Sequence, residues 1–110
     1  MLEKTVKAAV KKRLETLGAY QHWPVQTGRG SRCLDCHGCF HGRYFAVETK
    51  APGKVPTPIQ NFTIGEIRKS GGLVFVVDSV EKANDLFNGC IKSDWADPRP
   101  LRPKTRRPDR

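Results

Sequence analysis

The sequence predicts a small α/β domain, and three observations predict it. Leu2, Val6, Val10, Leu14 and Leu17 recur at helical spacing. Two strand-like runs, residues 32–40 and 43–50, flank His41-Gly42, a two-residue connection whose second residue is glycine, as a tight hairpin requires. A second helical pattern over residues 58–70 leads into an unbroken apolar run at 73–77.

The first helix is expected over residues 2–17, with Gly18 as its stop. At 3.6 residues per turn, its apolar stripe centres about 40° from Glu3 and about 160° from Glu15. Glu3 therefore borders the buried face, and Glu15 points to solvent. A short extended run follows at 19–26, then the loop Thr27-Gly28-Arg29-Gly30-Ser31. After the hairpin comes the loop Ala51-Pro52-Gly53-Lys54-Val55-Pro56. The second helix carries apolar Ile59, Phe62, Ile64 and Ile67 and ends at Gly71-Gly72. The 73–77 run reads as a buried strand. Ser79 can cap a last helix over 80–87, with Glu81 in its first turn. The expected order is α-β-β-β-α-β-α.

With 110 residues, 12.4 kDa and 37% hydrophobic content, the chain supports one modest core and excludes a second cofactor-binding domain. No apolar run reaches the roughly 20 residues of a membrane span, and the first 20 residues show no apolar block of a secretory signal. An intracellular protein is expected. The net charge of +9 favours a polyanionic partner, nucleic acid first. Residues 1–92 form the expected domain. Residues 93–110, with six basic residues, three acidic ones and four prolines, form a basic tail of low apolar content. The remaining chain is still +6, with 14 basic against 8 acidic residues.

The hairpin places the chemistry. With His41-Gly42 as the turn, residues whose numbers sum to 83 face each other, so Asp35 opposes Glu48, with Cβ atoms about 5 Å apart. Lys50 follows on the same face. Leu34, Phe40, Phe45, Val47 and Thr49 are expected on the other face as the packing side, leaving the acidic face separate. Opposed carboxylates repel unless a cation lies between them. Oxygen ligands on a rigid strand pair suit Mg²⁺, and a neighbouring lysine can stabilise charge developing on a phosphate. The alternative reading is a solvated polar face in which Lys50 serves as a salt-bridge partner.

An ordered set of residues resembles a known family. Glu3, Gly18, Gly28-Arg29-Gly30, Asp35, Gly42 through Gly53, Pro58-Ile59-Gln60, Gly71-Gly72 and Val77-Asp78-Ser79 are similar in order and spacing to VRR-NUC nucleases, of the PD-(D/E)XK superfamily. Short standalone members are often viral or bacterial. The most specific piece is Glu48-Thr49-Lys50-Ala51-Pro52-Gly53 followed by Pro58-Ile59-Gln60. The resemblance covers residues 1–90 and implies a restriction-endonuclease-like core, a mixed sheet flanked by helices. It implies a metal-dependent DNA endonuclease using Mg²⁺ or Mn²⁺, in a bacterium or a phage-infected cell. Asp35 and Glu48 match the metal carboxylates, Lys50 the catalytic lysine and Gln60 the glutamine opening the next helix. Glu3 matches the acid of the first helix, and the Thr49 carbonyl is a candidate metal ligand. Leu34 stands where the family usually has proline, which puts the local path of the strand in question.

Small standalone members resemble Holliday-junction resolvases, which implies a homodimer acting on branched DNA. One domain offers one active site, and a symmetric cut needs two. Arg29, Arg32 and Lys54 are candidate phosphate contacts or solvated charges. Tyr20 and Trp23 are expected in the core or an interface. Cys33, Cys36 and Cys39, near His37 and His41, have spacings that suggest zinc. A strand there separates Cys36 from Cys33, His37 and Cys39, and puts Cys33 and His37 about 13 Å apart. Tetrahedral zinc needs its ligands within about 2.3 Å of one ion, so the strand reading disfavours zinc. The rival functions are a noncatalytic DNA-binding protein with the same fold and a small zinc adaptor.

Overall fold

The computed structural model describes residues 2–25 and 33–89. Arg29, Arg32, the glycine-rich loop, Cys90 and the 93–110 tail lie outside them. Seven elements follow in the order α1 (Glu3–Leu17), β1 (Tyr20–His22), β2 (Cys36–Phe40), β3 (Arg43–Thr49), α2 (Pro58–Lys69), β4 (Leu73–Val77) and α3 (Val80–Asn84). They build a mixed α/β fold, a four-stranded sheet ordered β1-β2-β3-β4 with helices on both faces. The first three strands are antiparallel, and β4 runs parallel to β3. No helix among the described residues is long and apolar enough to cross a membrane.

Local chemistry explains most boundaries. Gly18 closes α1 in the left-handed region, φ 74°, where a side chain would be strained. The β2–β3 turn has φ 51° at His41 and 77° at Gly42, two positive angles in succession. A two-residue loop of this kind matches the twist of the strands it joins. The resulting register pairs Cys36 with Val47 and Phe40 with Arg43, the expected sum of 83. At Gly38 any Cβ would collide with the Tyr20 carbonyl, so β1 approaches β2 only because glycine stands there. Thr57 and Gln60 cap α2 reciprocally, and Pro58 occupies its first turn.

The two faces of the sheet are packed unequally. On one face Val6, Val10 and Leu14 of α1, all fully buried, meet Phe45, Val47, Phe40 and Cys36 from the sheet and Ala83, Leu86 and Phe87 from the α3 region. On the other, α2 contributes Ile64 to a smaller core with Leu34, Ala46 and Val74. Ile59 and Phe62 of α2 are exposed.

Three expectations are corrected. Leu34 lies in the α2 core with Ala46, not with Phe45 and Val47, because the chain bends at Asp35 before β2 begins. The acidic face is not separate from packing, since Ala46 on that face is fully buried beneath α2. The last helix stops at Asn84 rather than at 87. There Phe87 adopts φ 66° and its ring packs edge-on at 4.9–5.3 Å against Phe40, Phe45 and Phe75. Three aromatic contacts of this kind outweigh one more helical turn. Of the two residues expected in the core or an interface, Trp23 packs against the core and Tyr20 is exposed on β1. The 73–77 strand forms as expected but is the outer strand of the described sheet, so Leu73, Phe75 and Val76 are only partly buried.

Candidate active site at the end of β3

β3 runs between β2 and β4 and is covered on both faces, so its last residues are delivered into a dry environment. Glu48 is 3% exposed and Thr49 fully buried. The Lys50 N–H donates to the Val77 carbonyl at 2.9 Å, fixing the strand end against β4.

Asp35 is held beside them by the bend. Its backbone N–H donates to Glu48 Oε1 at 3.3 Å. Its own Oδ2 accepts from the Thr49 N–H at 2.9 Å and from Thr49 Oγ1 at 2.8 Å. The two acidic residues are therefore neighbours, as the register requires. Their carboxyls are not simply opposed on one face, since Asp35 leans toward Thr49 and α1. A strand residue's N–H and C=O leave on the same edge, so the Thr49 carbonyl is directed to the edge Asp35 occupies.

The cations complete the cluster. Lys50 Nζ lies 3.6 Å from Glu48 Oε2, with its side chain 15% exposed. On α1, Lys7 Nζ lies 3.6 Å from Glu3 Oε2 and 3.9 Å from Asp35 Oδ1. Glu3 is half-buried where Glu15 is exposed, as the helical arithmetic requires. The Glu48 carboxyl is pushed up to about 7. Burial is the largest cause, followed by the Asp35 charge; Lys50 and the Asp35 N–H pull the other way, and the Glu3 charge adds to the rise.

The remaining candidates are more scattered. Gln60 opens α2 as expected, but its Oε1 accepts from the Thr57 N–H at 2.9 Å while its N–H donates to Thr57 Oγ1 at 3.2 Å. The side-chain oxygen is thus engaged in a capping box, which Thr57-x-x-Gln60 signals in the sequence. Lys54 is exposed in the loop after Lys50, its N–H donating to Ala51 O at 3.0 Å. That loop is tied to the end of β4, because the Gly53 N–H also bonds Asp78. Asp78 is held below the usual carboxylate range chiefly by its hydrogen bond from Lys82, 2.9 Å away. Arg29 and Arg32 lie outside the described residues.

Lys7 was missed by sequence reasoning. Its spacing from Glu3 is an ordinary i,i+4 pair, and only the packing of α1 on the sheet brings it to Asp35.

The cysteines divide as the strand dictates. Cys36 is buried in the α1 core, its thiol pushed up to about 12 chiefly by burial, while Cys39 is exposed and Cys33 half-buried. His37 lies between His22, at 5.2 Å, and Tyr44, at 6.0 Å.

Among the described residues, no three His, Cys, Asp or Glu side chains are grouped as ligands for one ion. The oxygen donors at the end of β3 still suit a hard cation. One carboxyl is nearly dry, a second is adjacent, and a peptide carbonyl is directed to the same edge; Mg²⁺ takes one or two such carboxylates and keeps several waters. No protein-family model matches the chain, and comparison with curated proteins finds no match.

Proposed function

We propose that this protein is a metal-dependent DNA endonuclease of VRR-NUC type with a restriction-endonuclease-like core. The observation that carries the reading is the buried Glu48 carboxyl, beside Asp35 and 3.6 Å from the Lys50 ammonium, at the end of the central strand. Burying two acids together costs stability. Hydrogen bonds and the two lysines offset part of that cost, and a divalent cation would offset more.

In this reading Asp35 and Glu48 hold Mg²⁺ or Mn²⁺, with the Thr49 carbonyl beside them and Glu3 reaching from α1. A divalent ion held there would supply Lewis-acid activation of water and offset charge on the phosphodiester. Thr49 orients Asp35 through two hydrogen bonds. Lys50, held by Glu48, orients the attacking water and stabilises charge developing on the phosphate. Glu48 would hold the ion in its carboxylate form, the form that burial disfavours in the ion-free protein. Gln60 joins the site only by exchanging its cap contact with Thr57. The charge of +9 supplies attraction to DNA, with Arg29, Arg32 and Lys54 as phosphate contacts. One site per domain favours a homodimer on branched DNA.

The test is cleavage of labelled four-way junction, flap and linear duplex DNA with Mg²⁺, Mn²⁺ or EDTA. Metal-dependent cutting is expected, with Lys50→Ala lowering it by at least about 10²-fold. Symmetric junction products would support the homodimer. Binding to all three substrates without cutting in either metal would replace the proposal with a noncatalytic DNA-binding protein.

A further inference from the structure

Lys7 bridges two acids of the candidate site. Its ammonium is 3.6 Å from Glu3 Oε2 and 3.9 Å from Asp35 Oδ1, so one cation serves two of the three acids gathered at the site. Glu48 is served separately by Lys50 at 3.6 Å. Two lysines against Glu3, Asp35 and Glu48 leave the cluster one charge short of neutral when all three acids are ionised. A divalent ion overcompensates that deficit, and ammonium groups around it then face repulsion. The two lysines are not equally free to respond. Lys50 is 15% exposed and anchored at the strand end, while Lys7 is 37% exposed on the flank of α1, beside its buried stripe. Its long side chain can swing to solvent at little cost.

We propose that Lys7 is an exchangeable internal cation, which holds Glu3 and Asp35 until a divalent ion displaces it and then passes to a phosphate of the bound nucleic-acid strand. Two consequences follow by linkage. Lys7 competes with the ion in the DNA-free protein, and it couples ion binding to backbone binding, because the freed ammonium is available only once the ion is in place. Lys7 is thus a positioning residue. The inference rests on the metal-dependent reading above.

The experiment measures Mn²⁺ binding to the DNA-free protein by loss of the free-ion electron paramagnetic resonance signal. Wild type, Lys7→Gln and Lys7→Arg are compared, with thermal unfolding to verify that each is folded. Removing a unit charge about 4 Å from a ligand carboxylate at a partly exposed site corresponds to roughly twofold to fivefold. Lys7→Gln is expected to bind Mn²⁺ tighter by that factor and Lys7→Arg to match wild type. A second arm measures affinity for a labelled duplex by fluorescence anisotropy, with and without Ca²⁺, in a Lys50→Ala background that leaves the DNA intact. There the gain on adding Ca²⁺ is expected to shrink in Lys7→Gln. If wild type binds Mn²⁺ but Lys7→Gln binds no tighter, or keeps the full Ca²⁺ gain, the exchange is wrong and the nuclease reading stands. If wild type binds no Mn²⁺ at millimolar concentration, both fall.

Discussion

The α1 and α2 sides of the sheet use helices of similar length in different ways. α1 buries Val6, Val10 and Leu14 completely against a core that also draws on β2, β3, β4 and the α3 region, and Arg13 ties it down through two bonds to the Leu86 carbonyl at 3.0 and 3.1 Å. α2 buries only Ile64 and leaves Phe62 70% exposed. The first side holds the molecule together. The second covers Ala46 with little packing behind it. The candidate site lies where the two meet, since Asp35 interrupts a chain whose neighbours Leu34 and Cys36 belong to opposite cores.

That contrast can be broken by truncation. Phe45→Ala, at the centre of the α1 core, is expected to cost about 3–5 kcal/mol. Ile64→Ala is expected to fall near the lower end of the aliphatic range, about 2 kcal/mol, because a shallow core collapses more easily. Urea unfolding of both variants measures the difference; equal losses would mean that the two cores share the load.

Glu48 sharpens the comparison by pH. Its carboxyl is raised in the folded protein to about 7 from 4.5. The folded state therefore keeps a proton that the unfolded chain releases. The stability this confers is full below about pH 4.5, falls as pH rises, and is gone above about 7, a change of roughly 3 kcal/mol. Glu48→Gln mimics the protonated form. It should match wild type near pH 4.5 and exceed it increasingly toward pH 8. Thermal unfolding across that range checks this, and a constant gap would remove Glu48 as its source.

The start of α2 separates capping from chemistry. Thr57→Ala is expected to cost about 1 kcal/mol and leave cleavage unchanged, whereas Gln60→Ala costs a similar amount and lowers cleavage as well. If both lower cleavage equally, Gln60 acts only through the cap. The smallest effect is expected at Phe62. Phe62→Ser should change stability by no more than about 0.5 kcal/mol, because its ring is already in solvent.

Much of this molecule was legible from short-range chemistry. The apolar spacing of α1 with Gly18 after it, the His41-Gly42 turn and the sum-of-83 register follow from interactions within a few residues, which any chain carrying those residues would make. So does the neighbourhood of Asp35, Glu48 and Lys50, because a hairpin register is fixed by its turn. The capping box Thr57-x-x-Gln60 is equally local.

Tertiary structure decided the rest. Leu34 went to the α2 core because a bend at Asp35 reversed the pleat, and a bend cannot be read from a run of strand-forming residues. Ala46 became buried, and Glu48 with it, because β4 and α2 closed over a strand whose alternation suggested one open face. Phe87 left the helix because three distant rings offered it more contact than another helical turn. Lys7 reached Asp35 across 28 positions of sequence because α1 packs on the opposite sheet face, beside the bend at Asp35. Each outcome turned on surfaces that exist only after the elements have assembled: periodicity records which side of an element is apolar, while burial, charge proximity and the state of Glu48 depend on what packs against that side.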